Sequence, residues 1–387
     1  MIPYGKQTIS ENDIKSVVDV LRSDFLTQGP VVPQFEEQLC NYTGVKYATA
    51  VNSCTSALHI ACLSLDLGPG DILWTSAITF AASANCALYC GASVDFVDID
   101  LDTCLMSTES LRKKVEQAEI DGCLPKIVIP VHFAGQPCNM EKICELGVQY
   151  GFSIIEDAAH AVGSTYKDKF VGSCTYSDIT VFSFHPVKMI TTGEGGAALT
   201  NNVKLADCMN LLRSHGITKD LHKMKNKSEG DWYYEQIILG FNYRMTDIQA
   251  ALGISQLNRI SKFIKERKKI ADKYSSELDL RALSFLKQKK IGSNHYLYVI
   301  KLDYADKKLR NKLYYYLLEN NIGVQIHYIP LYKNKFYKKL GSEREYPNSE
   351  KYYNSTLTIP SFYNLNKEQQ DIIIYLINNY LLKYIHE

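Results

Sequence analysis

The sequence predicts an α/β protein: a mostly parallel β-sheet sandwiched by helices, followed by a C-terminal region of different character. Three observations carry that prediction. Short apolar runs bounded by turn residues recur through the first two thirds of the 387 residues. Segments of helical period separate them, as at Met140 to Tyr150, and such alternation builds parallel sheets. Beyond about Gln256 the pattern changes, with a charged amphipathic stretch from Arg259 to Leu278 opening a segment rich in tyrosine and lysine.

In chain order the strand candidates are Tyr47 to Val51, Asp71 to Trp74, Ser93 to Val97, Lys126 to Val131, Phe152 to Ile155 and Ile179 to Phe184, with Gly195 to Thr200 as a further one. There is no repeat, low-complexity linker or proline-rich hinge, and the length suits two domains sharing one dominant core. Lysine and arginine number 43 against 42 acidic residues, a balance that gives no reason to expect a nucleic-acid or membrane partner. The 11 cysteines are scattered, without Cys-x-x-Cys spacing, and fit a reducing cytoplasm. Cys86 and Cys90, four apart on an expected helix, read as small buried thiols. Neither the cysteines nor the nine histidines form a metal-ligand spacing, so no metal is expected. The start Met-Ile-Pro-Tyr-Gly-Lys lacks the apolar core of a signal peptide, and no apolar run is long enough to span a bilayer.

The chemistry gathers around three strand ends. The run Ile179 to Phe184 feeds into Ser183-Phe-His-Pro-Val-Lys188 and then a glycine-rich turn ending at Gly196. A lysine at the mouth of a sheet is partly desolvated, and a lowered pKa is what an amine needs to form a Schiff base with an aldehyde cofactor. Alone, Lys188 would be an ordinary loop lysine. Asp157, thirty-one residues earlier, emerges at the carboxyl end of another strand candidate, the edge where open α/β sheets bind ligands. By itself it reads as an N-cap for a helix through Ala158 and Ala159. Beside Lys188 it suits the pyridinium nitrogen of pyridoxal 5'-phosphate, which needs an anionic partner to stay protonated. Third, Asn52-Ser53-Cys54-Thr55-Ser56 passes from a strand into a helix, where hydroxyls and free N–H groups make an anion site or, more plainly, an N-cap.

Together these strings resemble the sugar-nucleotide aminotransferases of the pyridoxal-phosphate-dependent transferase fold, type I. Further matching strings are Leu26-Thr-Gln-Gly-Pro30, Trp74-Thr-Ser-Ala-Ile-Thr-Phe80-Ala-Ala-Ser-Ala-Asn85 and Leu239-Gly-Phe-Asn242-Tyr-Arg-Met-Thr-Asp247, and the likeness runs over nearly the whole chain. The resemblance implies a large cofactor-binding domain over residues 1–255 and a smaller α+β domain over 256–387. It implies that Lys188 holds the cofactor covalently and shuttles a proton, and that Asp157 pairs with the ring nitrogen. Phe80 would stack on one face of the ring and Ala159 pack on the other. Ser53, Cys54, Thr55 and Ser183 would hold the phosphate, with Asn242 reaching it from a neighbouring subunit of a homodimer. Cys54 stands where many relatives carry glycine, which matters only if that position needs positive φ. His160 is expected to orient a cofactor oxygen.

Within the family, Ser23-Asp-Phe-Leu-Thr-Gln-Gly29, Phe182 to Lys188, Leu212-Arg-Ser-His-Gly216 and Gly323-Val-Gln-Ile-His-Tyr328 resemble the branch serving pseudaminic acid biosynthesis. That branch implies L-glutamate as amino donor and a UDP-linked 4-keto-6-deoxy-N-acetylhexosamine as acceptor. Substrate-side candidates are His327 and Tyr328, with Tyr4 and Thr27 beside them. Arg244 is assigned either to a substrate carboxylate or diphosphate, which a guanidinium suits, or to a structural ion pair. Rival readings are an aminotransferase for a dTDP-linked or 3-keto sugar and a catalytically silent protein on the same fold. A sugar dehydratase would carry histidine in place of Lys188, and no G-x-G-x-x-G follows an early strand as a nicotinamide enzyme requires.

Overall fold

The computed structural model describes residues 1–226, 229–287, 292–302, 307–340 and 345–385. Helices α1 (Glu11–Leu21) and α2 (Val31–Thr43) lead into an alternating series. It runs β1 (Tyr47–Val51), α3 (Cys54–Ser64), β2 (Ile72–Ser76), α4 (Ala82–Tyr89), β3 (Ser93–Val97), α5 (Thr108–Asp121), β4 (Ile127–Ile129), α6 (Met140–Tyr150) and β5 (Ser153–Asp157). A hairpin of β6 (Thr165–Tyr166) and β7 (Lys169–Phe170) intervenes before β8 (Ile179–Ser183), β9 (Gly196–Thr200) and α7 (Val203–Arg213). Seven strands form one sheet in the order β1-β9-β8-β5-β4-β2-β3. Only β9 runs against its neighbours; the other ladders are parallel. All seven strand candidates lie in this sheet, with ends shifted by a residue or two.

The sheet explains the apolar runs. Val128, Ile154, Phe182 and Ala197 point to one face, packed under α2, α5, α6 and α8 (Asp247–Leu257). Ile127, Ile129, Ile155, Val181 and Ala198 point to the other, under α3, α4 and α7. Strands buried on both faces cannot alternate apolar and polar, so they appear as continuous hydrophobic stretches. Pro30, at the start of α2, offers no side-chain cap. The buried Asp247 carboxylate supplies it from across the sequence, accepting from the N–H groups of Gly29 at 2.6 Å, Val31 at 3.0 Å and Val32 at 2.9 Å.

After a small ladder of β10 (Ile217–Thr218) and β11 (Glu235–Gln236), helix α9 (Ile260–Glu277) matches the predicted amphipathic stretch. It bridges two cores: Ile260 and Phe263 pack on the large sheet, while Ile270, Ala271 and Tyr274 pack on a third cluster. That cluster surrounds an antiparallel sheet of β12 (Leu283–Phe285), β13 (Tyr298–Leu302) and β14 (Thr356–Ile359) with α10 (Lys307–Glu319) and α12 (Lys367–Ile385), α11 (Pro347–Ser355) leading into β14. The chain's first residues join it. Ile2 N–H donates to Asn321 at 2.8 Å and Gly323 N–H to Ile2 at 2.7 Å. A Cβ at Gly323 would lie 3.0 Å from the Ile2 carbonyl, a tight contact that glycine avoids. No described helix is long and apolar enough to cross a membrane.

Candidate active site

One cavity of about 730 Å³ opens at the carboxyl ends of β5 and β8. Ser53, Cys54, Thr55, Phe80, Asp157, Ala159, His160, Ser183 and Lys188 line it together with Tyr4, His327 and Tyr328. Parallel strands deliver Asp157 and Ser183 as their last residues to this edge, and the turn after β8 brings Lys188 back over it.

Lys188 sits in a low-polarity pocket that pulls its pKa from 10.5 down to about 8; the Asp157 carboxylate opposes the burial but does not cancel it. Its ammonium lies 5.2 Å from the centre of the Tyr296 ring. Asp157 is buried and its carboxylate is oriented from two directions. Ser83 Oγ donates to Oδ2 at 2.6 Å and the Ala159 N–H donates to Oδ1 at 3.1 Å. No helix follows Asp157: residues 158–163 are turns and irregular chain, so the alternative N-cap reading does not hold and the carboxylate closes a two-residue turn on Ala159 instead. Beneath it, His132 accepts the Cys138 N–H on Nδ1 at 3.2 Å, which leaves Nε2 as donor to Glu156 at 2.6 Å.

The anion end is built by α3. Ser53 is its N-cap and takes the Ser56 N–H at 3.1 Å, leaving the Cys54 and Thr55 N–H groups at the helix start available to an anion. Cys54 is the first helical residue and is absent from the positive-φ positions, so the replacement of glycine carries no backbone penalty. Close packing there depends instead on Gly196, where a Cβ would meet the Cys54 amide nitrogen at 2.5 Å.

The other wall is aromatic. Phe80, 62% exposed, borders the cavity with its ring 6.1 Å from that of Tyr328. Tyr328 OH lies 3.2 Å from His160 Nε2, while the buried Nδ1 of His160 has no hydrogen-bond partner. Burial, reinforced by the Lys188 charge, lowers the His160 pKa, so its ring is neutral. His327 Nδ1 pairs with Thr358 Oγ1 at 2.9 Å, and burial pulls its pKa down to about 3. The Tyr4 ring packs 5.4 Å from His327, carried there by the N-terminal strap.

Three candidates lie elsewhere. Thr27 bridges Thr246, and Asn242 is exposed beside Asn52. Arg244 donates to Ser214 Oγ at 3.2 Å, and no carboxylate pairs with it among the described residues. Two contributors were not singled out from sequence. Ser83 stands three residues after Phe80, one helical turn on, and that spacing was a usable signal. Tyr296 comes from the segment before β13, and nothing local to it marks a site.

The whole chain can now be compared with known proteins. The model of the DegT/DnrJ/EryC1/StrS aminotransferase family matches residues 7–378. The chain belongs to that family. The UDP-4-amino-4,6-dideoxy-N-acetyl-beta-L-altrosamine transaminase of Campylobacter jejuni (serotype O:23/36) is 39% identical over 369 residues, covering 95% of this chain and 94% of that one. An uncharacterized protein of Methanocaldococcus jannaschii, MJ1066, is 38% identical over 383 residues, 97% and 96% of the two chains. Among solved structures, Helicobacter pylori PseC, an aminotransferase of pseudaminic acid biosynthesis, superposes with a TM-score of 0.90 at 30% identity over 99% of both chains. The PLP form of Streptococcus pneumoniae Spr1654 gives 0.89 at 31% identity, again over 99% of each. This chain is therefore a pyridoxal-phosphate-dependent sugar aminotransferase of the type I fold. Its residues fit the cofactor: a desolvated amine, a doubly oriented carboxylate, two free helix-start N–H groups and an unpartnered buried imidazole nitrogen share one cavity.

Proposed function

We propose that this enzyme moves the amino group of L-glutamate to C4 of UDP-2-acetamido-2,6-dideoxy-β-L-arabino-hex-4-ulose. The products are UDP-4-amino-4,6-dideoxy-N-acetyl-β-L-altrosamine and 2-oxoglutarate. The observation that carries the chemistry is the amine of Lys188, with a pKa of about 8, sharing a buried site with Asp157. Identity with the Campylobacter transaminase supports the choice of sugar.

When bound, pyridoxal phosphate supplies an aldehyde for attachment and a ring that takes up an electron pair as nitrogen changes hands. Lys188 would hold the cofactor through Nζ and would serve as the base that takes and returns a proton at the substrate carbon bearing nitrogen. At neutral pH about a tenth of such amines are unprotonated, which suits a base that must also return the proton. Asp157, held by Ser83 and the Ala159 N–H, supplies the negative charge for the ring nitrogen, and each of its oxygens keeps a lone pair for that purpose. Cys54 and Thr55 N–H groups with Ser53 and Ser183 hydroxyls would hold the phosphate. Phe80 and Ala159 would pack on the ring, and neutral His160 would orient an oxygen of the cofactor. His327, Tyr328 and Tyr4 face the sugar nucleotide.

The division of labour between residues 1–255 and 256–387 belongs to the same proposal, as does a homodimer. Exposed Phe25, Leu26 and Leu239, the last 79% exposed, lie close in sequence to Thr27, Asn242 and Arg244. Burying that surface against a second copy would carry Asn242 to the partner's phosphate site, and Thr27 and Arg244 towards its substrate. The assignment is tested by incubating the enzyme with glutamate and a panel of UDP- and dTDP-linked ketosugars, followed by product NMR. Amination at C4 of the UDP-L-arabino ketosugar is expected. Turnover confined to a dTDP-linked or 3-keto substrate overturns it.

A further inference from the structure

An amine that must take and return a proton needs a neighbour that holds it in place without holding its proton. A carboxylate in contact would keep the ammonium charged far above neutral pH, whereas the face of an aromatic ring attracts the charge and has no basic site. The Tyr296 ring meets that requirement. Lys188 Nζ lies 5.2 Å from its centre, within the range of a cation–π contact, and among the described residues no hydrogen bond or ion pair reaches Nζ. Tyr296 lines the cavity and is 3% exposed. Burial raises its phenol pKa, so it offers Lys188 a neutral ring and not a phenolate.

The backbone of Tyr296 is pinned on both sides. Its N–H donates to Asn294 Oδ1 at 3.0 Å, and its carbonyl accepts from Arg267 Nη1 at 2.9 Å. Asn294 is fully buried, and its Nδ2 donates to the carbonyls of His160 and Val162, each at 2.9 Å, which ties Tyr296 to the turn after β5. A Cβ at Gly135 would overlap Asn294 Oδ1, so the amide is seated against a glycine. Arg267, on α9, places its guanidinium 5.5 Å from the Tyr296 ring and also holds the Ser361 carbonyl at 2.7 Å. The His160 ring packs 4.6 Å away.

We propose that Tyr296 is a positioning residue for Lys188, its ring face holding the charged amine at the cavity wall whenever no cofactor is bonded to Nζ. The inference rests on the assignment of Lys188 as the base. The other groups facing Lys188 are the Asp157 carboxylate on β5, the Cys54 thiol on α3 and the neutral imidazoles of His160 and His327. Arg267 and Lys6 share a small second cleft with Lys188, and His185 and Glu194 border the main cavity. None of them changes when electrons are withdrawn from the ring and its shape is kept.

The test is competitive acetylation of Lys188 from pH 6 to 10 in the full-length, cofactor-free protein, comparing Tyr296→Phe with difluoro- and trifluorophenylalanine at the same position. Fluorine draws electron density from the ring face and leaves the ring nearly the same size. Tyr296→Phe should keep a midpoint close to that of the wild type. Each further fluorination should lower it, by roughly 0.4–1.5 pH units in total, because a weaker ring favours the neutral amine. A purely packing role predicts a flat series, and a flat or rising series overturns the inference. Lys188→Ala separates that outcome from failure of the mechanism. Lost turnover in Lys188→Ala beside a flat series removes the role of Tyr296 alone, whereas retained turnover removes the base on which that role depends.

Discussion

Lys188 will titrate near pH 8 in the cofactor-free protein, and that is the most direct consequence of the site's construction. An amine of pKa about 8 is roughly one tenth neutral at pH 7, whereas one at the ordinary 10.5 is neutral to about 0.03%, a ratio of about 300. Competitive labelling with isotopic acetic anhydride from pH 6 to 10 measures this, with exposed lysines as internal reference and the Lys188 peptide quantified after digestion. Labelling should rise tenfold per pH unit up to about pH 7.5 and level off above 9. Because the Asp157 charge raises the Lys188 pKa, Asp157→Asn should move the midpoint below 8 and increase labelling at pH 7. A midpoint above about 9.5, or an upward shift in Asp157→Asn, would refute the desolvation argument. Linkage gives a second reading of the same quantity. The folded-state pKa lies below the unfolded one, so the charged amine costs up to about 3 kcal/mol below pH 8. That cost fades as pH rises from 8 to 10.5, and the cofactor-free protein should gain stability from this group over that interval.

Other perturbations follow from single contacts. Ser83→Ala removes a charge-assisted hydrogen bond from Asp157, of the order of 1.5–3 kcal/mol, and should lower kcat/KM by about tenfold or more without unfolding, as steady-state kinetics and circular dichroism would show. Gly196→Ala drives a methyl group into the Cys54 amide; overpacking of about 1–3 kcal/mol should lower the thermal midpoint and weaken retention of pyridoxal phosphate on dialysis. Lys188→Ala should abolish the yellow absorbance that borohydride bleaches in the wild-type enzyme, together with turnover; retention of both would remove Lys188 from the mechanism. His327→Ala should raise KM for the sugar nucleotide several-fold more than KM for glutamate, and equal KM values in mutant and wild type would exclude a substrate-side role.

Much of the sheet was legible because its strands are buried on both faces, and burial on both faces leaves a continuous apolar signature in sequence. Lys188 and Asp157 were legible for the same reason: each terminates or follows such a strand, and strand ends in an open α/β sheet converge. Asp157 shows the limit of local reasoning, since an aspartate before two alanines has the composition of a helix cap, yet β5 runs straight into a turn. Tyr296 shows it again. Its ring reaches Lys188 only because the segment before β13 docks on the large sheet, with Arg267 binding the Tyr296 carbonyl at 2.9 Å. Tyr4 arrives through a strap to residues 321–323 that no local pattern announces.

By itself the sequence determined the α/β class and, through its resemblance to a known family, the cofactor, because period, strand-end placement and motif order are properties of the chain read locally. Only the tertiary structure decided which carboxylate oxygen Ser83 holds, how far Lys188 is desolvated and which aromatic rings close the cavity. Those depend on contacts between residues tens to hundreds of positions apart, and a pKa is set by everything packed around a group rather than by its neighbours in the chain.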